Sequence, residues 1–292
     1  MLKKGKSFKY KLAPWVFLLP ALISFTLFKY YPIVMGMLVS FYNLDIVNPP
    51  GKFVGLDNYI RAFKDPNLYN AVKNNLEFAF VILILNFWCP IALAILVNEV
   101  RKGRTFFRTM YFIPAIAPGI AVNVLWKYIW QPDYGFANYI LSLFNLPPQL
   151  WLNDVRQVKW CMQFPGLIVA GGMNFIVYLA ALQEVPEEHY EAALIDGAGF
   201  IDRIRYITIP QIIPIVKIML ILTLIEVFNM VDAPLVMTGG GPAGSTETLV
   251  LYAFKVATRD LDYSYGLALS TIAFAVVFVI TAFQMKLSRS ND

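Results

Sequence analysis

The sequence predicts an all-α, polytopic membrane protein with six transmembrane helices, and three observations lead there. Of its 292 residues, 58% are hydrophobic and only 15% charged, whereas soluble globular domains carry about 45–50% apolar and about 25% charged residues. Six stretches reach the roughly 20 apolar residues that a helical span needs: 14–41, 76–98, 106–130, 160–183, 211–237 and 264–285. Lysine and arginine concentrate in alternate connections between these stretches. The length then suits one bundle rather than several soluble domains.

Residues 1–13 are a basic N-terminus with Lys3, Lys4, Lys6, Lys9 and Lys11. The apolar run that follows is too long for a cleaved signal peptide, and no small-x-small site follows it. A retained first helix over 14–41 is therefore expected. Lys29 lies inside it, where "KYYP" is expected to mark a wet break. An extracytoplasmic loop over 42–75 carries the turn residues of "NPPGKFVGLDNY". Cys89 in span two and Cys161 in span four each sit in an apolar run and are expected to pack as small core residues. Their separation excludes the usual zinc spacings.

Spans three and four are rich in helix breakers. "IPAIAPGIAVN" holds Pro114, Pro118 and Gly119, and "FPGLIVAGGMNF" holds Pro165, Gly166, Gly171 and Gly172. Each proline removes a hydrogen bond that lipid cannot replace, so these spans either pack closely through small residues or line a gated wet path. Between them lies the loop "NLPPQLWLND". Trp126, Trp130, Trp151 and Trp160 fall near predicted interfaces and are expected to form an aromatic belt. Lys127, near an outer end, is placed to snorkel.

With the N-terminus inside, the shorter inner segments hold thirteen Lys or Arg, including Arg101, Lys102, Arg104, Arg108, Arg203, Arg205, Lys286 and Arg289. The longer outer loops hold eight. This asymmetry places both termini, 1–13 and 286–292, in the cytoplasm. The net charge of +5 is too small and too scattered for nucleic-acid binding.

The inner connection over 184–210 is more patterned than a joining loop requires. Pro186 suits a helix start, and Glu187 and Glu188 sit where the helix dipole favours negative charge. Tyr190, Ala193 and Leu194 share a face at helical spacing, and Gly197 suits a positive-φ helix end. A second short helix is expected from Phe200 to Thr208, with Ile201, Ile204 and Ile207 inward, before Pro210 and Pro214 open the next span. The alanines allow close approach by a partner, and Glu191 can pair with a basic residue there. The alternative is a helix lying flat on the headgroups, which its acidity disfavours.

These residues resemble a known family. The inner-membrane permeases of bacterial ATP-binding cassette importers carry a loop reading E-A-A, three residues, G, nine residues, I-x-L-P. Here stand Glu191, Ala192, Ala193, Gly197, Ile207 and Pro210 at that spacing, with Ile209 in place of the leucine. "LPALISFTLFKYYPIVMGMLVSFYN", "FVGLDNYIRAF" and "MTGGGPAGSTETLVLYAF" are similar to the carbohydrate branch, the maltose and glycerol-phosphate type. The resemblance implies a type I importer transmembrane domain over about 72–285. It implies that 184–210, with Asp196 among its residues, couples to an ATPase. It also implies a second similar permease, two ATP-binding cassette subunits that use ATP and Mg, and an extracytoplasmic solute-binding protein. No cofactor is expected on this chain itself, and transport rather than catalysis is expected of it.

A substrate path is sought among polar groups at bilayer depth, which tend to face a cavity or the bundle interior. Thr223, Glu226 and Met230 share a stripe of span five, with Asn229 beside it and Asp232 beyond. Asn123 and Asn174 are placed to converge on the same cavity, and Tyr178 to offer a sugar an aromatic surface. The alternative is that these groups tie neighbouring helices together. "GGGPAG", Gly239 to Gly244, formally fits G-x-G-x-x-G, but nucleotide binding requires a preceding strand and a cytoplasmic site. An outer turn receiving the binding protein is expected instead. No G-x-x-x-x-G-K-[ST] occurs, so ATP hydrolysis is not expected here. His189 lacks nucleophile or metal spacing and is expected on the surface. An intramembrane enzyme would want facing His, Asp or Glu pairs. A peptide or phosphate permease is disfavoured by "TGGGP".

Overall fold

The computed structural model describes residues 8–45, 47–100, 103–169 and 172–289. Lys3, Lys4, Lys6, Arg101, Lys102 and Gly171, named above, lie outside the described residues, as do the side chains of Lys9, Lys11, Arg104 and Arg289. The chain divides into two compact units, residues 1–64 with 253–272 and residues 65–252 with 273–292.

In the first unit, α1 (Phe8–Phe25) passes through a π turn (Thr26–Tyr30) into α2 (Tyr31–Val39). Pro32 has no N–H, and its ring would press on the carbonyl of Phe28; the wider π turn absorbs that mismatch. "KYYP" therefore marks a widened turn in a continuous helix rather than a break. The segment 42–75, expected as a loop, is also more structured than that. A hairpin pairs β1 (Tyr42–Asn43) with β2 (Lys52–Phe53), Tyr42 opposite Phe53. Gly51 closes it at φ +84°, where a Cβ would overlap the Asn43 carbonyl. Then α3 (Asp57–Lys64) follows. Asn58 donates to the carbonyls of Ser40 and Tyr42. Arg61 pairs with Asp262 at 2.6 Å and stacks 3.9 Å above the Tyr265 ring. This unit is held by side chains that tie turns, because the apolar residues of α1 and α2 are largely exposed.

In the second unit, α4 (Pro66–Leu85) starts under an Asp65 cap, whose carboxylate accepts from the Asn67 N–H at 2.9 Å, with Pro66 in the first turn. Residues 66–75, expected in a loop, are thus helical. After Asn86 and Phe87 comes α5 (Trp88–Glu99). Pro90 explains the break between them, since its ring collides with the carbonyl four residues back, that of Asn86. Then come α6 (Arg104–Phe112), a 3₁₀ turn (Ile113–Ile116), α7 (Gly119–Ile129), α8 (Phe136–Leu143), α9 (Val158–Ile168) and α10 (Met173–Gln183). The breakers of span three bend it by 85°. The chain continues through α11 (Glu187–Ile195), α12 (Phe200–Arg203), a π turn (Ile204–Thr208), α13 (Ile209–Phe228) and a further π turn (Pro234–Thr238); α14 (Leu249–Thr258) and α15 (Tyr263–Arg289) each have residues in both units.

Among the described residues, four helices are long and apolar enough to cross a membrane, Pro14–Val39, Pro66–Glu99, Phe200–Phe228 and Tyr263–Phe283; with each of two bent helix pairs counted as one span, there are up to six. The helix expected at Phe200–Thr208 is not a separate one. It is continuous with span five, because the π turn before Pro210 relieves the clash with the carbonyl of Tyr206. Span five also ends at Phe228 rather than 237, leaving Asn229 as its C-cap and Asp232 beyond it.

Two apolar clusters form the core of this unit. One gathers Phe78, Ile82, Trp130, Val158, Met162 and Val227. The other gathers Phe87, Ile91, Phe175, Tyr178, Leu179 and Ile212. Lipid is as apolar as these side chains, so helix contacts rely on close packing and on interhelical hydrogen bonds worth about 0.6–2 kcal/mol each. Asn75 supplies two of these, donating to the Val227 carbonyl at 2.8 Å and accepting from the Leu249 N–H at 2.9 Å. The tryptophans also depart from expectation. Trp130 is buried and packs on Trp126, Trp151 and Phe164, so most of the anticipated belt is an internal aromatic cluster.

Candidate functional site

Two places in the second unit concentrate the predicted site residues. The first is the connection from α10 to α13. Two acids, Glu187 and Glu188, open α11. At its other end, the Gly197 N–H donates to the Leu194 carbonyl at 3.1 Å and the Ala198 N–H to the Ala193 carbonyl at 2.9 Å. This is a Schellman closure, and it needs a left-handed residue at the position that Gly197 fills with φ +80°. Asp202 then caps the backbone N–H of Gly199 at 3.1 Å. The Tyr190 hydroxyl meets Thr208 Oγ1 at 3.1 Å, and Arg203 pairs with Glu99 at 3.4 Å, fastening the segment to span five and α5.

What this clamped segment turns outward sets large apolar side chains among charged ones. Glu191, Ala192 and Asp196 are exposed, Ala193 is half-buried, and Ile195 is 87% exposed, with Leu194, Ile201 and Tyr206 exposed as well. Ile201 was expected inward with Ile204 and Ile207; only the latter two are partly covered. Pro210 lies exposed in the first turn of α13, and His189 is exposed.

The second place is a cavity of about 250 Å³ where the two core clusters meet, lined by Ile82 and Val227 of one and Phe87 of the other. Asn174, Thr223, Glu226 and Met230 reach it, as do Asn86 and Gln163. Of the residues proposed for a path, Asn123, Tyr178 and Asn229 do not line it. Tyr178 is 1% exposed, with its ring packed into the core. Asn229 lies past the end of α13 and donates back to the Ile225 carbonyl at 2.9 Å. Asn123 is partly buried on α7, outside the lining. Asn86 and Gln163 were missed. The signal for Asn86 was Pro90, which frees it from the helix and was not counted among the breakers.

Residues 66–290 match the family described as the inner membrane component of binding-protein-dependent transport systems. The chain belongs to this family. It is 33% identical to the arabinooligosaccharide transport permease AraP of Bacillus subtilis, over 96% of this chain and 90% of that protein. It is 31% identical to the trehalose/maltose permease MalF of Thermococcus litoralis, over 94% and 93%. Its fold matches a chain of a bacterial ATP-binding cassette transporter for the acidic polysaccharide alginate, with a TM-score of 0.86 and 25% identity, over 97% and 96% of the two chains.

As an inner membrane component of a transport system, the chain is a transporter subunit and not an enzyme. The glycine-rich stretch is likewise no nucleotide fold. It follows the π turn Pro234–Thr238 rather than a strand, and Gly239, Gly240, Ala243 and Gly244 all adopt positive φ. Asn74 fastens it to α4, donating to the carbonyls of Gly244 and Glu247 at 2.8 and 2.9 Å.

Proposed function

We propose that this chain is the permease subunit of an ATP-driven importer of a carbohydrate in the bacterial cell membrane, with both termini in the cytoplasm. It forms the path by alternating access with a second, similar permease. Two ATP-binding cassette subunits use ATP and Mg, and an extracytoplasmic solute-binding protein delivers the sugar. A ligand that bound both states equally would shift nothing, so the bias must come from the ATPase cycle.

The observation that carries this reading is the outward face of α11 and the turn after it. A rigidly closed helix presents Ile195, Leu194 and Ile201 to water beside Glu191. Large apolar side chains held exposed in this way are stable when a partner covers them. An ATP-binding subunit is the partner whose motion a clamped loop can pass to span five. The sugar-transporting relatives support the substrate class, and a polar-walled cavity supports a path through Asn174, Thr223 and Glu226.

The test is uptake and assembly in paired variants. Glu191→Lys reverses the charge offered to the partner, and Gly197→Val forbids the left-handed helix end. Both proteins are expected in the membrane at normal levels, with ATP-dependent uptake falling at least tenfold. Normal uptake in both would remove the coupling role.

A further inference from the structure

We infer that the wall this chain gives to the cavity is an acceptor of hydrogen bonds that repels anions, so that, on the carbohydrate reading above, the importer carries uncharged saccharides and rejects acidic ones. Asn86 Nδ2 donates to the Gln163 backbone carbonyl at 3.1 Å and lies 3.3 Å from Gln163 Oε1. A backbone carbonyl can only accept, which fixes which end of the carboxamide carries nitrogen. Gly166 leaves room for the group, since a Cβ there would come within 2.5 Å of Nδ2. Asn86 Oδ1 is left buried without a partner, on a residue that lines the cavity.

The neighbouring groups have the same polarity. Thr223 spends its hydroxyl proton on the Met219 carbonyl at 2.9 Å, so only lone pairs remain toward the cavity. Glu226 lines the cavity, its carboxylate makes no ion pair or hydrogen bond among the described residues, and when ionised it is acceptor-only. Asn174 and the Gln163 amide are the donors, and among the described residues no Lys, Arg or His reaches the lining. A sugar hydroxyl both donates and accepts, so it satisfies Asn86, Thr223 and Glu226. A carboxylate, sulfonate or phosphate offers only further acceptors and meets the charge of Glu226 with no cation beside it.

The test uses the purified permease complex with its ATP-binding subunits and without solute-binding protein, so that upstream selection does not intrude. Glucan, xylan and arabinan trisaccharides are titrated by saturation-transfer NMR, each as the alditol and as the aldonate at the reducing end. The two forms share an opened terminal residue and differ in charge. At least one alditol is expected to bind saturably, with its aldonate at least tenfold weaker. Glu226→Gln, or Glu226→Ala should the first not assemble, is expected to narrow that gap to threefold or less. Asn86→Leu is expected to weaken the alditol at least fivefold. Equal affinities in the native complex, or a gap that survives loss of the carboxylate, would overturn the inference. Saturable binding by none of the saccharides in either form would instead overturn the carbohydrate reading.

Discussion

Lys159 is a buried cation at the start of α9, its side chain 8% exposed. Its ammonium donates to Asn74 Oδ1 at 2.8 Å and pairs with Glu77, whose side chain is 46% exposed. The two ends of the pair are therefore unequal. Removing Glu77 strands a desolvated ammonium, whereas removing Lys159 leaves a carboxylate that water can reach. Glu77→Ala is expected to destabilise the solubilised protein by about 1–3 kcal/mol more than Lys159→Met, read as the difference in melting temperature. Equal melting points would mean that the pair is solvated after all. Nothing in the linear order announces this partnership, because charge pairing across elements has no periodic signature. Thr223, Glu226 and Asn174 were legible for the opposite reason, each being a polar group in an apolar run. Tyr178 was misread because an aromatic ring suits a packed core as well as a cavity, and spacing does not distinguish the two.

Proline does most of the architectural sorting at the level of elements. Pro114 and Pro118 bend span three, while Pro32 and Pro210 leave helices continuous because a π turn precedes each. Periodicity located the spans, but it did not reveal which prolines break and which are absorbed. At Pro32 and Pro210 the preceding turn widens, whereas Pro20, Pro165 and Pro214 sit inside α-helices without such a turn. Pro90 is the informative case, because its break gives Asn86 to the cavity wall. Pro90→Ala removes the clash with the Asn86 carbonyl and restores a donor. The substitution is expected to stabilise the α4–α5 helix by about 1–3 kcal/mol while lowering uptake, since Asn86 then rejoins the helix. Higher thermal stability with unchanged transport would separate the break from function. The Schellman end at Gly197 was fully legible, since a glycine after a short amphipathic run has one common use.

For the whole molecule, orientation is the property that most needs a direct test. Single cysteines at Val47 and Leu146, both exposed, are expected to react with an impermeant thiol reagent on whole cells, and one at Lys6 only after permeabilisation. Labelling at Lys6 from outside would reverse the assignment. Gly51 is a poor probe, because its turn does not accept a side chain. One helical shaft, Phe200–Phe228, joins the α11 corner to the cavity wall, and it contains the π turn Ile204–Thr208. A π turn holds one residue more than the α turn it replaces, so the shaft contains a spare residue near its base. Deleting Tyr206 together with Pro210→Ala should let that turn tighten while both ends keep their angular phase, and uptake should remain measurable. Deleting Ile218 instead, where the helix has no slack, should rotate Thr223 and Glu226 by about 100° against α11 and abolish uptake.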